Sequence, residues 1–307
     1  MLLRRDVQRR DEIRRQFVFV FDDELRGSSG NDTLLGGAGN DSVNGGQGND
    51  TLQGNNGNDV LNGDNGNDTI YSGSNVTSVD SGNDTLSGGE GNDLLFGQDG
   101  DDSLTGDNGE DAVFGGTGND TLQGNNGNDV LLGEDGNDIM YGGANIVTDD
   151  VGNDTMLGGN GDDLMFGQRG DDSMLGEEGN DVMFGGNDDD WMSGGNGNDH
   201  LDGEEGNDTV YGDNGDDTLL GADGDDSLLG GSGADSIRGG NGDDELYGEN
   251  GDDTLCGDAG SNLVDGGDGN DTVCKGDGSD TILGGEGDDV LFGGENDDLL
   301  DGENGDD

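Results

Sequence analysis

The chain has 307 residues, of which 71 are glycine, only 26% are hydrophobic and 4% aromatic, too little apolar material for an ordinary globular interior. Its formal net charge of -64, from 74 acids against 10 bases, argues against nucleic acid and anionic membrane surfaces as partners and makes multivalent cations the natural counter-charge. Composition alone reads as disorder, and the order of residues along the chain overrules it. No apolar run approaches the roughly 18 to 20 residues that span a bilayer, so no membrane insertion is expected. The opening MLLRRDVQRRDEIRRQ carries charge without the apolar core of a cleavable signal peptide.

Residues 1–26 hold seven of the ten bases, with Arg4, Arg5, Arg9, Arg10, Arg14 and Arg15 in pairs. LLRRDVQRRDEIRRQ predicts a short helix and FVFVF (17–21) a strand, together a basic segment capping whatever follows. From Asp32 an acidic residue recurs at every ninth position: Asp41, Asp50, Asp59 and Asp68. After a break the series runs through Asp84, Asp93, Asp102, Asp111, Asp120, Asp129 and Asp138. After a second break it runs through Asp154, Asp163, Asp172, Asp181, Asp190, Asp199, Asp208, Asp217, Asp226, Asp235, Asp244 and Asp253, fails at Asn262, and resumes with Asp271, Asp280, Asp289 and Asp298. It ends at Asp307, after thirty positions.

Each unit can be written GGxGxDxUx with U aliphatic, as in GGAGNDSVN (36–44) and GGEGDDVLF (284–292). Glycines at the first, second and fourth places supply backbone conformations closed to other residues and allow close approach. Asn or Asp at the fifth place tolerates a left-handed conformation. The first six residues therefore predict a turn, and the last three a very short strand in which only the eighth place is buried. That place holds Leu34, Val43, Leu52, Leu61 and Ile70 early in the chain and Val273, Ile282, Leu291 and Leu300 late. Two units make a flattened 18-residue coil, and about fifteen coils stacked about 4.8 Å apart put the strands in parallel ladders on two faces.

One buried aliphatic side chain per nine residues cannot offset the entropy of ordering a glycine-rich unit. The sixth-place aspartates, 18 residues apart, stack along each edge, where like charges repel. A cation between turns removes the repulsion. Carboxylate and carbonyl oxygens with no His or Cys nearby are hard ligands that select Ca²⁺. In this scheme Asp32 and Asp50 share one ion on one edge and Asp41 and Asp59 the next on the other, to a total of roughly two dozen ions.

These units resemble the nonapeptide of the RTX, or haemolysin-type, calcium-binding repeat, over residues 27–307. The resemblance implies a right-handed parallel β-roll, with calcium held by the sixth-place aspartates from Asp32 to Asp298 and by main-chain carbonyls. It also implies a secreted, extracellular protein, exported by the type I route, that folds when it meets calcium. No secretion signal is visible, and a series that stops inside a repeat is expected of part of a larger protein or of an incomplete one. Asn262 predicts weaker pairs at 244/262 and 262/280. Asp188 and Asn296 replace the fourth-place glycine and put the turns before Trp191 and Leu299 in doubt.

The breaks, SGSNVTSVDS (72–81) and GGANIVTDDV (142–151), are read as surface loops extruded on opposite edges, the alternative being shortened half-coils that share one edge. Met140, Met156, Met165, Met174, Met183 and Met192 take successive inward places as flexible core filler. Phe96 with Phe114, and Phe166 with Phe184, are expected to stack on neighbouring coils. Cys256 and Cys274, also 18 apart, allow either a disulfide in an oxidising compartment or two reduced thiols. An enzyme is not expected: the single histidine, His200, rules out HExxH, and GxSxG is absent. Ice binding is disfavoured because Thr117 is the only threonine in its slot. The alternative to a secretion-coupled calcium module is a calcium-stiffened rod, or adhesin-like surface module, that binds a partner through its aromatic stripe.

Overall fold

The computed structural model describes residues 21–73, 82–143, 152–274 and 276–306. The expected helix and nearly all of FVFVF lie outside them; Phe21 is described, is 72% exposed and belongs to no strand. Every regular element among the described residues is a β-strand. The chain forms two compact units, residues 1–157 and 158–307, built alike. It is a parallel β-solenoid, with about fourteen turns in all.

In the first unit the strands Thr33–Ala38, Ser42–Gln47, Thr51–Asn56 and Val60–Asn65 follow at nine-residue steps and alternate between two sheets. Pairing is parallel and joins residues 18 apart, as in Leu34↔Leu52 and Val43↔Leu61. The second unit repeats this with Leu164–Arg169 against Val182–Asn187 and Ser173–Glu178 against Trp191–Asn196. Each regular strand has six residues where three were expected, because the ladder continues past the corner: Gly46 pairs with Asp64 and Gln47 with Asn65. The first three places of each unit thus belong to a strand, and the turn shrinks to the fourth through sixth.

Across the breaks the register widens to 25, as in Asp59 with Asp84 and Asp129 with Asp154. Gly82 lies against the carbonyl of Gly57, as the fourth-place Gly66 lies against that of Gly48, and Gly152 lies against that of Gly127. The additional residues therefore enter a turn between its second and fourth places and leave the alternation of sheets intact. Strands Thr69–Tyr71 and Ile139–Tyr141, which precede the breaks, belong to different sheets. Residues 74–81 and 144–151 lie outside the described residues.

The eighth-place residues from Val43 to Ile282, the six methionines included, are at most 2% exposed. Leu34 and Leu291 are only half-buried and Leu300 is exposed, since a coil lacking a neighbour on one side has nothing to cover its core. The eighth place is not alone inside. The sixth-place aspartates from Asp41 to Asp289 are 1 to 5% exposed, because the strands on both sides of the turn fold over them.

Candidate metal centre

Each sixth-place aspartate is tied to the next coil by a side-chain bond. The backbone N–H of Asp41 donates to Oδ1 of Asp59 at 2.7 Å, that of Asp190 to Asp208 at 2.8 Å, and that of Asp217 to Asp235 at 2.8 Å. In the first unit these bonds string Asp41, Asp59, Asp84, Asp102, Asp120 and Asp138 along one edge. Asp32, Asp50, Asp68, Asp93, Asp111, Asp129 and Asp154 line the other. In the second unit one edge carries Asp163, Asp181, Asp199, Asp217, Asp235, Asp253, Asp271 and Asp289. The other carries Asp172, Asp190, Asp208, Asp226, Asp244, Asn262, Asp280 and Asp298. The partners proposed from the 18-residue spacing are thus adjacent. Sequence reasoning missed one member: Asp23, nine residues before Asp32, donates its N–H to Asp41 Oδ1 at 2.7 Å and leads into the strand Glu24–Arg26. The nine-residue step counted backwards finds it.

The fifth place forms a second ladder of opposite sense. Asn58 donates its N–H to Asn40 Oδ1 at 3.2 Å, and Asp225 to Asn207 Oδ1 at 3.0 Å. This, and not a left-handed backbone, explains the Asn and Asp there. Positive φ falls instead on the second and fourth places, at Asn55 (81°), Glu134 (77°) and Ala222 (80°), and at Asp188 (83°) and Asn296 (84°). Asp188 and Asn296 therefore adopt the conformation of the glycine they replace, and the strands after them, Trp191–Asn196 and Leu299–Asp301, form.

The first-place glycine is required for space. A Cβ on Gly36 would sit 2.5 Å from Asp41 Oδ2 and 2.8 Å from the carbonyl oxygen of Gly54, one coil on. At Gly45 the distances are 2.5 Å to Asp50 Oδ2 and 2.7 Å to Gly63 O, and at Gly212 both Asp217 Oδ2 and Gly230 O lie at 2.5 Å. Each such niche thus brings together a carboxylate oxygen from one coil and a carbonyl oxygen from the next. With Oδ1 committed to the ladder, Oδ2 of Asp41, Asp50, Asp93, Asp190, Asp208 and Asp226 is buried and accepts no hydrogen bond.

Burial pushes these carboxyls up from the ordinary value of 3.8 against the lowering effect of the ladder N–H. Asp41 and Asp50 rise to about 6, Asp93, Asp111, Asp120 and Asp226 to about 7, and Asp190 to about 8. Neighbouring aspartates add to the rise, as Asp208 does for Asp190. A carboxylate oxygen without a donor, facing a carbonyl oxygen, favours either a proton or a cation. Among the described residues no three His, Cys, Asp or Glu side chains converge to hold a metal. A cation here would draw on the carboxylate Oδ2 and the main-chain carbonyl oxygen beside it, hard donors of the kind that suit calcium.

Asn262 keeps the ladder, accepting from Asp244 N–H through Oδ1 at 2.9 Å, but turns Nδ2, a donor, toward Gly257. Elsewhere Tyr71, Phe96 and Phe114 stack at 4.9 Å between successive ring centroids, and Phe166 and Phe184 at 5.2 Å. Cys256 and Cys274 form a disulfide.

A parallel solenoid whose turns bury stacked aspartates beside carbonyl oxygens defines a class of calcium-binding repeat protein. The RTX calcium-binding nonapeptide repeat (4 copies) matches residues 20–52, 44–75, 78–113, 114–146, 148–183, 184–219, 220–255, 247–274 and 276–307. The chain belongs to this family, and calcium is the ion its repeats bind. No curated protein matches the chain. Among solved structures, the chain is similar to a hyperactive, Ca²⁺-dependent, β-helical antifreeze protein from an Antarctic bacterium, with a TM-score of 0.52 and 21% identity over 89% of this chain and 82% of that one. At that identity the likeness concerns the fold alone.

Proposed function

We propose that this is a secreted protein whose folding is coupled to extracellular calcium, with the ions held at the sixth-place aspartates from Asp41 to Asp289 and, less tightly, at the end positions Asp32 and Asp298. The observation that carries the reading is the unpartnered Oδ2 facing the next coil's carbonyl, as at Asp41 and Gly54. A buried, unpaired carboxylate is costly, and at neutral pH a divalent cation relieves that cost while tying two coils together. Roughly two dozen such links would offset most of the chain's net charge. At cytosolic calcium the acidic chain remains expanded, and at the millimolar calcium found outside cells binding and folding occur as one event. Membership of a family typical of secreted proteins supports export, by the type I route.

A second reading keeps the calcium and adds a partner. The half-buried ring stacks Tyr71–Phe96–Phe114, on one sheet of the first unit, and Phe166–Phe184, on the other sheet in the second, each offer an adhesin-like surface module a contact patch. Ice is disfavoured as that partner: the third places hold Ala38, Gln47, Asn56 and Asn65, and the seventh-place row Thr33, Thr51 and Thr69 gives way to Leu94.

Far-UV circular dichroism during a calcium titration tests the main reading, with magnesium as control because it dehydrates reluctantly and demands octahedral geometry. A cooperative gain of β signal in calcium and none in magnesium is expected. A β spectrum that persists in excess chelator at pH 8 would overturn the proposal.

A further inference from the structure

One rung of the solenoid departs from all the others in several ways at once. Asn262 is the only sixth place between Asp32 and Asp298 without an aspartate. In the nine-residue pattern Lys275 takes a first place, where every other one from Gly27 to Gly302 except Ser72, beside a break, is glycine. The chain's two cysteines occupy the ninth places immediately before these two turns, and they are bonded, with Cα atoms 4.8 Å apart.

The local geometry explains why a link is needed there. In a regular turn the spare Oδ2 faces the carbonyl of the following coil, so each carboxylate serves the gap ahead of it, as Asp41 does with Gly54. At Asn262 that atom is Nδ2, buried and 2.6 Å from the position of a Cβ on Gly257. An amide N–H is a donor and cannot ligate a cation. The gap deprived of its ligand lies between the turns ending at Asn262 and Asp280, which remain joined by the Asn262 N–H to Asp280 Oδ1 bond at 2.9 Å.

We infer that the Cys256–Cys274 disulfide takes the place of the metal link missing between the turns that end at Asn262 and Asp280, so that this rung is held covalently and answers to reductant where the other rungs answer to calcium. The inference rests on the proposed calcium role of the sixth-place aspartates. A crosslink between residues 18 apart restricts the unfolded chain much as an ion shared by adjacent coils does. It acts at the one rung whose sixth-place side chain cannot serve as an anionic ligand.

Hydrogen exchange of the full chain in millimolar calcium tests this. Four samples are compared: the oxidised protein, the same protein reduced in place after folding, Cys256→Ser/Cys274→Ser, and that double variant with Asn262→Asp and Lys275→Gly added. Loss of the disulfide should speed exchange across 254–283 about tenfold or more while leaving 200–232 unchanged. The added Asp and Gly should restore most of that protection and raise bound calcium, measured by elemental analysis, by about one ion per chain. Reduction without a change in exchange, an equal change in every coil, or no recovery with Asn262→Asp/Lys275→Gly each overturns the inference. Should the serine variant not fold, reduction of the folded protein gives the same reading. Chelator separates the two failures. If it leaves exchange at 200–232 unchanged, the calcium reading falls and this inference with it; if it exposes those coils but recovery is absent, only this inference falls.

Discussion

The coils around Leu201 and Leu219 and the last described coil, 290–306, share one nine-residue recipe but differ in what lies against them. Leu201 and Leu219 are 0% exposed, whereas Leu300, in the same eighth place, is 43% exposed. Asp208 and Asp217 are buried, while Asp298 is only partly so. The same letters meet different environments because a coil is roofed by its neighbours and by nothing of its own. Burial, the ladder bonds and the oxygen-lined niches are properties of pairs of coils, and an end coil has only half of each.

The largest contrast is expected in the core. Leu201→Ala should cost about 2–5 kcal/mol, and Leu300→Ala less than about 1 kcal/mol, by denaturant unfolding in saturating calcium. Equal costs would show that neighbouring coils do not set the energetics. At the edges, Asp208→Asn is the sharper probe, since Asn262 shows that asparagine keeps the ladder bond while replacing Oδ2 by a donor. A loss of about 1–3 kcal/mol is expected in calcium, a much smaller one in chelator at pH 5, where the metal-free fold is populated, and almost none for Asp298→Asn in either; a loss of the same size in chelator would count against metal ligation.

The smallest effect is a pH shift, again confined to interior coils. Carboxyls raised from 3.8 to about 6 at Asp208, about 7 at Asp226 and about 8 at Asp190 keep protons in the metal-free fold that the unfolded chain has already released. Between about pH 4 and 8 the metal-free fold therefore gains stability as pH falls and loses it as pH rises through those values. Calcium requires the deprotonated form, so its midpoint should move several-fold higher from pH 8 to pH 6. Metal-free samples should show more β signal at pH 5 than at pH 8. A calcium midpoint indifferent to pH would place the ions away from the buried carboxylates.

Much of this was legible in the sequence. The nine-residue step, the two alternating sheets, the inward row from Val43 to Ile282 and the edge position of the aspartates all follow from local periodicity, because a strand's alternation and a turn's chemistry are set within a few residues. Even Asp23 needed only one more step backwards. Other features depended on contacts between residues 18 apart, which spacing brings together without fixing their atoms. Only the folded chain shows that strands run through the third place, that the fifth-place Asn and Asp accept ladder bonds, and that first-place glycines such as Gly36 leave room for two oxygens. The same holds for the division of labour within each carboxylate, Oδ1 to the backbone and Oδ2 to the next coil. The physical reason is one of range: conformational preference resides in a single unit, whereas hydrogen bonds, desolvation and metal ligation arise only where one coil lies on another.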